Sequence, residues 1–326
     1  MRMVDVHNHA MPSTALELLR SERVFRVRID GDLVSGGNHP PFRLDPAFHD
    51  VEAKLAELDA DGIAATIMSV SPTIFYYEVE AAAGEAMAAA VNDGLAAMCR
   101  EAPDRLAWMA HVPLQDVELA VQALERAAEQ GAVGVEVGTS IAGARVDEER
   151  FEPFWAAVER LGLPVMLHPA YNEPHPGLAP YYLQNAIGNQ LETTIAVERL
   201  LCAGVLDRHP GARVLLVHAG GYFPYQAGRL RHASTVRPEL RQLDPWDYVG
   251  RLWFDTITHD AAALRYLADR VGPDHVVFGT DLPFDMAPPR PAAAVREALG
   301  EALAVQVGID NPGRLFSIPQ LAGAHG

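Results

Sequence analysis

The sequence predicts a parallel (β/α)₈ barrel, the TIM-barrel class. Short apolar, β-branched runs alternate with longer Ala/Leu/Glu/Arg segments of helical period. Eight such pairs follow one another, the number that closes a barrel. No G-x-G-x-x-G follows the first run, so an open dinucleotide-binding sheet is disfavoured. With no internal repeat and no Gly/Ser linker, the 326 residues are read as one domain, 1–326.

The strands are expected in order at 3–7, 65–70, 105–112, 132–137, 163–168, 212–218, 251–256 and 275–280. Their continuous apolar character suits strands covered on both faces. Helices are expected at 49–60, 79–101, 116–130, 147–161, 191–204, 223–236, 260–271 and 291–304. Asp116 is a candidate N-cap and Gly131 a stop for the third helix, whose Val117, Ala120, Val121 and Leu124 share one face. Two connections are long, residues 8–48 after the first strand and 169–190 after the fifth. Both lie on the side where barrel enzymes carry their sites.

Lys and Arg number 26 against 43 Asp and Glu, a net charge of −17. That excess disfavours nucleic acid and anionic membranes as partners. No run is long enough to span a membrane, and the first residues carry no secretion signal, so a cytoplasmic location is expected. Cys99 and Cys202 are read as free thiols. Lys54 is the only lysine.

Polar residues collect where strands end. The first ends Asp5-Val6-His7-Asn8-His9, the fifth at His168, the sixth at His218, and the eighth runs into Gly279-Thr280-Asp281. In an extended chain i and i+2 point the same way, so His7 and His9 face one side. Three imidazoles and one carboxylate converging on a barrel mouth suit Zn²⁺ or a similar divalent ion such as Mn²⁺, which keeps net positive charge. Glu136 could bridge two ions, but is read as hydrogen-bonded or facing a substrate pocket. Phe75, Tyr76 and Tyr77 form either an aromatic wall or packing beneath the first loop. Asp5 is a candidate partner for an imidazole N–H.

Seven stretches together resemble the amidohydrolase superfamily, in its branch of aminocarboxymuconate-semialdehyde decarboxylase and related non-oxidative decarboxylases. They are DVHNHAMP, LDADGI, HVPLQD, PVMLHP, ETTIAVERLLCAGVLDRHP, VHAGGYFPYQAGRLRHA and GTDLPFD. The resemblance implies that His7, His9, His168 and Asp281 hold one Zn²⁺ with a water, and that Asp281 and His218 are catalytic, His218 handling that water's proton. It implies that Arg229, matched within HAGGYFPYQAGR, binds substrate carboxylate across a homodimer interface. Lys54 stands where the family has another carboxylate-binding arginine, and Phe284 is a candidate wall of the substrate pocket. No lysine lies on the fourth strand, so a carbamylated-lysine bridge between two metals is excluded. The reaction so implied is non-oxidative decarboxylation of a small unsaturated or aromatic carboxylic acid. Hydrolysis of a lactone, amide or ester by the same ligand set is the alternative.

Overall fold

The computed structural model describes residues 3–37, 39–170 and 175–318. One eight-stranded parallel sheet runs in strict chain order. Its strands are β1 (Met3–Ala10), β2 (Ile63–Val70), β3 (Leu106–His111), β4 (Gly134–Gly138), β5 (Val165–His168), β6 (Val214–Leu216), β7 (Leu252–Asp255) and β8 (Val276–Val277). Strands that neighbour in both sequence and space, joined by helices, give the barrel its connectivity. The seam is made by β1 and the segment after β8. Val6 N donates to Phe278 O at 2.9 Å and His9 N to Leu282 O at 2.8 Å, while Asp281 N donates to His7 O at 2.8 Å.

The helices are α1 (Val51–Ala60), α2 (Ala81–Glu101), α3 (Val117–Glu129), α4 (Glu152–Leu161), α5 (Asn189–Ala203), α6 (Phe223–Val236), α7 (Ala261–Val271) and α8 (Pro291–Leu299). Asp116 caps α3 as expected, its carboxylate accepting from Leu119 N at 3.1 Å. The eighth helix is shorter than expected, because Gly300 (φ 80°) breaks it before a separate turn at Glu301–Val305. β8 is also short, Val276–Val277, and the segment after it continues along β1 through the seam hydrogen bonds.

Val4, Val6, Met109, Leu215, Trp253 and Val277 fill the lower barrel, and Leu315 and Phe316 of a C-terminal helix (Asn311–Phe316) pack beneath them. With an apolar plug at the N-terminal end, buried His7, His9, His168, His218 and Asp281 lie at the strand C-termini. β1 pairs Asp5 with Thr66 but Asn8 with Met68, so it gains one residue over β2, a bulge. The bulge changes which parity faces inward. Val4 and Val6 pack into the barrel below it, and His7 and His9 point into the barrel above it.

The first long connection is structured. It holds a helix at Ser13–Ser21 and an antiparallel sheet of Val27–Asp30, Leu33–Gly36 and Phe42–Arg43. Its hairpin turns at Gly31 (φ 61°), so VRID-GD-LVSG carried a two-residue Gly-Asp turn signal that the broad reading of a loop passed over. Among the described residues no helix is long and apolar enough to cross a membrane.

Candidate active site and metal centre

Five side chains meet at the open end of the barrel. His7 and His9 on β1 bring their Nε2 atoms to 3.1 Å, with rings edge to face at 5.0 Å. His168, closing β5, places its ring 5.2 Å from that of His7 and 5.0 Å from that of His9. Asp281 offers Oδ1 at 3.1 Å from His9 Nε2 and 3.6 Å from His7 Nε2. His218, just past β6, lies with its ring 5.2 Å from His168 and its Nε2 3.6 Å from the other Asp281 oxygen.

The outward nitrogens of His7, His9 and His168 are engaged. His7 Nδ1 meets Asp255 Oδ2 at 2.7 Å, His9 Nδ1 meets Val70 O at 3.1 Å, and His168 Nδ1 meets Pro169 O at 2.6 Å. A carbonyl or carboxylate accepts only, so each Nδ1 must carry the proton and each Nε2 turns a lone pair inward. Burial pushes His9 down to about 4 and His168 well below the ordinary imidazole value, which keeps both neutral. Burial also opposes charge on His7, but the Asp255 hydrogen bond and the carboxylates around it outweigh that and raise its pKa. Burial penalises a charge on Asp281, yet the neighbouring His218, His9 and His7 imidazoles outweigh it and hold the carboxyl well below the usual range, so it is ionised. His168 Nε2 and Asp281 Oδ1 are buried with no hydrogen-bond partner. Inward lone pairs plus one carboxylate, lacking a donor to satisfy them, are what a divalent cation requires. The residues fit a metal ion.

The backbone is strained where the site is most exposed to chemistry. His218 (φ 52°), Ala219 (φ 58°) and Asp281 (φ 66°) all occupy the left-handed region that non-glycine residues avoid. Asp255 at the end of β7 holds two of them in place. Its carboxylate accepts from His218 N at 2.8 Å, Ala219 N at 2.7 Å and Ile257 N at 3.0 Å besides the His7 imidazole. Despite complete burial, this set of donors, His7 first, keeps its pKa below the ordinary carboxylate value. The sequence reading missed Asp255, although its own rule applied: RLWFDT ends in a polar residue like the other strands. Asp255→Ala should weaken metal affinity about 10–100-fold, by freeing the His7 ring. Metal titration of chelator-treated protein measures this; unchanged affinity would remove the role.

A family model described as Amidohydrolase matches residues 4–318. The chain belongs to the amidohydrolase family. This amidohydrolase is 30% identical over 248 residues to 2-amino-3-carboxymuconate-6-semialdehyde decarboxylase of Dictyostelium discoideum, covering 74% of this chain and 69% of the relative. It is 30% identical to gamma-resorcylate decarboxylase of Rhodococcus jostii (strain RHA1) over 295 residues, 82% of this chain and 87% of that one. Among solved structures, IDCase of Metarhizium anisopliae in apo form superposes with a TM-score of 0.84 at 26% identity, covering 97% of both chains.

The amidohydrolase departs from its expected substrate contacts at Lys54. That side chain is fully buried on α1, its Nζ donating to Asn8 Oδ1 at 2.7 Å, Glu57 Oε2 at 3.0 Å and His9 O at 3.3 Å. Three protons meet three acceptors behind the ligand strand, leaving none for a substrate in the mouth. Lys54→Met should cost about 3 kcal/mol, since buried Asn8 and half-buried Glu57 lose their partner. Urea unfolding of the metal-free protein reads this; a raised KM with unchanged stability would restore the substrate role.

Arg229 on α6 is exposed, and no hydrogen bond or ion pair joins it to the described residues of its own chain. Phe284 does reach the site, edge to face with His9 at 5.2 Å. It lines a small pocket of about 50 Å³ together with His168, His218 and Asp281. Glu136 on β4 is fully buried within ligand distance of His9 and His168, and desolvation raises its pKa well above the ordinary value. Asp5 does not touch an imidazole: it accepts from His7 N at 3.1 Å, Asn8 Nδ2 at 2.9 Å and Thr280 Oγ1 at 2.6 Å. Phe75 and Tyr77 are buried around His111, and Tyr76 packs on Phe25 of the first connection, so these aromatics serve packing.

Proposed function

We propose that this amidohydrolase is a metal-dependent non-oxidative decarboxylase of a small unsaturated or aromatic carboxylic acid. The observation that carries the reading is the convergence of His7, His9, His168 and Asp281 beside His218, in a chain 30% identical to two decarboxylases. In this reading the first four hold one divalent ion, Zn²⁺ or Mn²⁺, both of which accept nitrogen and carboxylate ligands. Such an ion, when bound, supplies positive charge that anchors the acid and offsets charge developing during C–C cleavage.

The chain's own residues supply position and the proton. His218 is held by Asp255 at the rim of the pocket, with Nδ1 free of any partner. It delivers a proton to the carbon that bears the carboxylate. The C–CO₂ bond then breaks, its electron pair restores the conjugated system, and CO₂ departs, so one proton is consumed for each CO₂ released. Phe284 forms an apolar wall against which a planar substrate lies. The unpaired, exposed Arg229 supports a homodimer in which it reaches the neighbouring pocket, since an Arg fork there would meet carboxylate bidentately.

The test is CO₂ release by metal-replete protein from hydroxybenzoates and from muconate-type acids. Release that depends on added metal supports decarboxylation. Ring opening or amine release from lactones or amides without CO₂ would replace it with hydrolysis.

A further inference from the structure

Beside the 50 Å³ pocket lies a chamber of about 730 Å³. Thr73, Tyr182, Phe284 and Asp285 line both, so the two spaces adjoin. The inner one has room for an acid group and the atoms next to it. The outer one is of the size that holds a whole drug-sized ligand.

Its wall is built from the small sheet of the first connection. A chain of rings leads outward from the metal site, each contact tilted or edge to face. His9 meets Phe284 at 5.2 Å, Phe284 meets Phe48 at 5.1 Å, Phe48 meets Phe42 at 6.4 Å, and Phe42 meets His39 at 5.0 Å. Phe42 and Phe284 are only half-buried, so each keeps apolar surface for another ring to cover. The charges in this wall are Asp32, Asp45 and Asp285 against Arg43 alone, and Arg43 is already paired with Asp32. A second carboxylate would find no free cation among the described lining residues and two carboxylates, Asp45 and Asp285, outside the Arg43–Asp32 pair.

We propose that the chamber is a subsite for the remote part of the substrate: the acid carries, beyond its reacting ring or diene, a second planar group without negative charge. This rests on the decarboxylase reading and narrows its substrate class to extended mono-acids.

Calorimetric binding to the metal-loaded protein tests it, using 2-nitroresorcinol and its 4-phenyl and 5-phenyl derivatives; the nitro group stands for the carboxylate, so nothing can be released. At least one phenyl derivative should bind ten-fold or more tightly than the parent. A carboxyl group on that outer ring should reduce the gain below two-fold. Phe42→Ala should abolish most of the gain while leaving parent affinity within two-fold. Binding of the parent with no gain from either phenyl group would overturn the subsite. A carboxyphenyl derivative as tight as the phenyl one would overturn its charge selectivity, and both comparisons use unaltered protein. Failure of the parent to bind at all would instead strike the decarboxylase reading, and the subsite with it.

Discussion

His168→Ala and Asp281→Ala should each yield folded protein without stoichiometric metal and with turnover at least about 10³-fold lower, some 4 kcal/mol of transition-state stabilisation. The argument is geometric. His168 Nε2 and Asp281 Oδ1 are buried and find no hydrogen-bond partner. In the absence of a cation they cost stability; with one they become ligands. Removing either leaves fewer than the four donors that tight binding of Zn²⁺ uses. Metal content by atomic emission, read beside circular dichroism and turnover, gives the answer. Full metal retention in both variants would refute the proposed ligand set.

His218→Ala should lower turnover by about 10²–10⁴-fold while leaving the metal bound. Its ring is near the cluster, and ligand atoms of His7, His168, His218 and Asp281 lie within 4.8 Å of one another. Two features favour proton transfer over ligation. His9, not His218, approaches Asp281 Oδ1 at 3.1 Å, completing a four-donor set without it. His218 also sits on a left-handed turn held by Asp255, which places its ring at the lip of the pocket that Phe284 and Tyr182 also line. Metal stoichiometry decides between the roles. If the variant loses metal together with activity, His218 is a ligand and another group must supply the proton.

Much of the site was legible because barrels place strand ends on one rim. His7, His9, His168, His218 and Asp281 were each marked by a polar residue closing an apolar run, and all five meet. The same reasoning marks Asp255, which closes the apolar run RLWFDT in the same way. Lys54 was misjudged. It was placed at the substrate by its match to a family arginine, and such a match does not say that its ammonium will find Asn8, Glu57 and a carbonyl behind β1.

The sequence by itself determined the strand–helix alternation, the single domain-long apolar pattern and the residue types at the rim, because these depend on neighbours a few positions apart. Tertiary structure decided the rest. The bulge in β1 chose which way His7 and His9 face, and it arises from pairing with β2 some sixty residues away. His7's tautomer is set by Asp255, 248 residues distant. The outer chamber exists only because a small sheet folds back over Phe284. Local spacing carries no information about such distant partners; closure of the barrel brings them together.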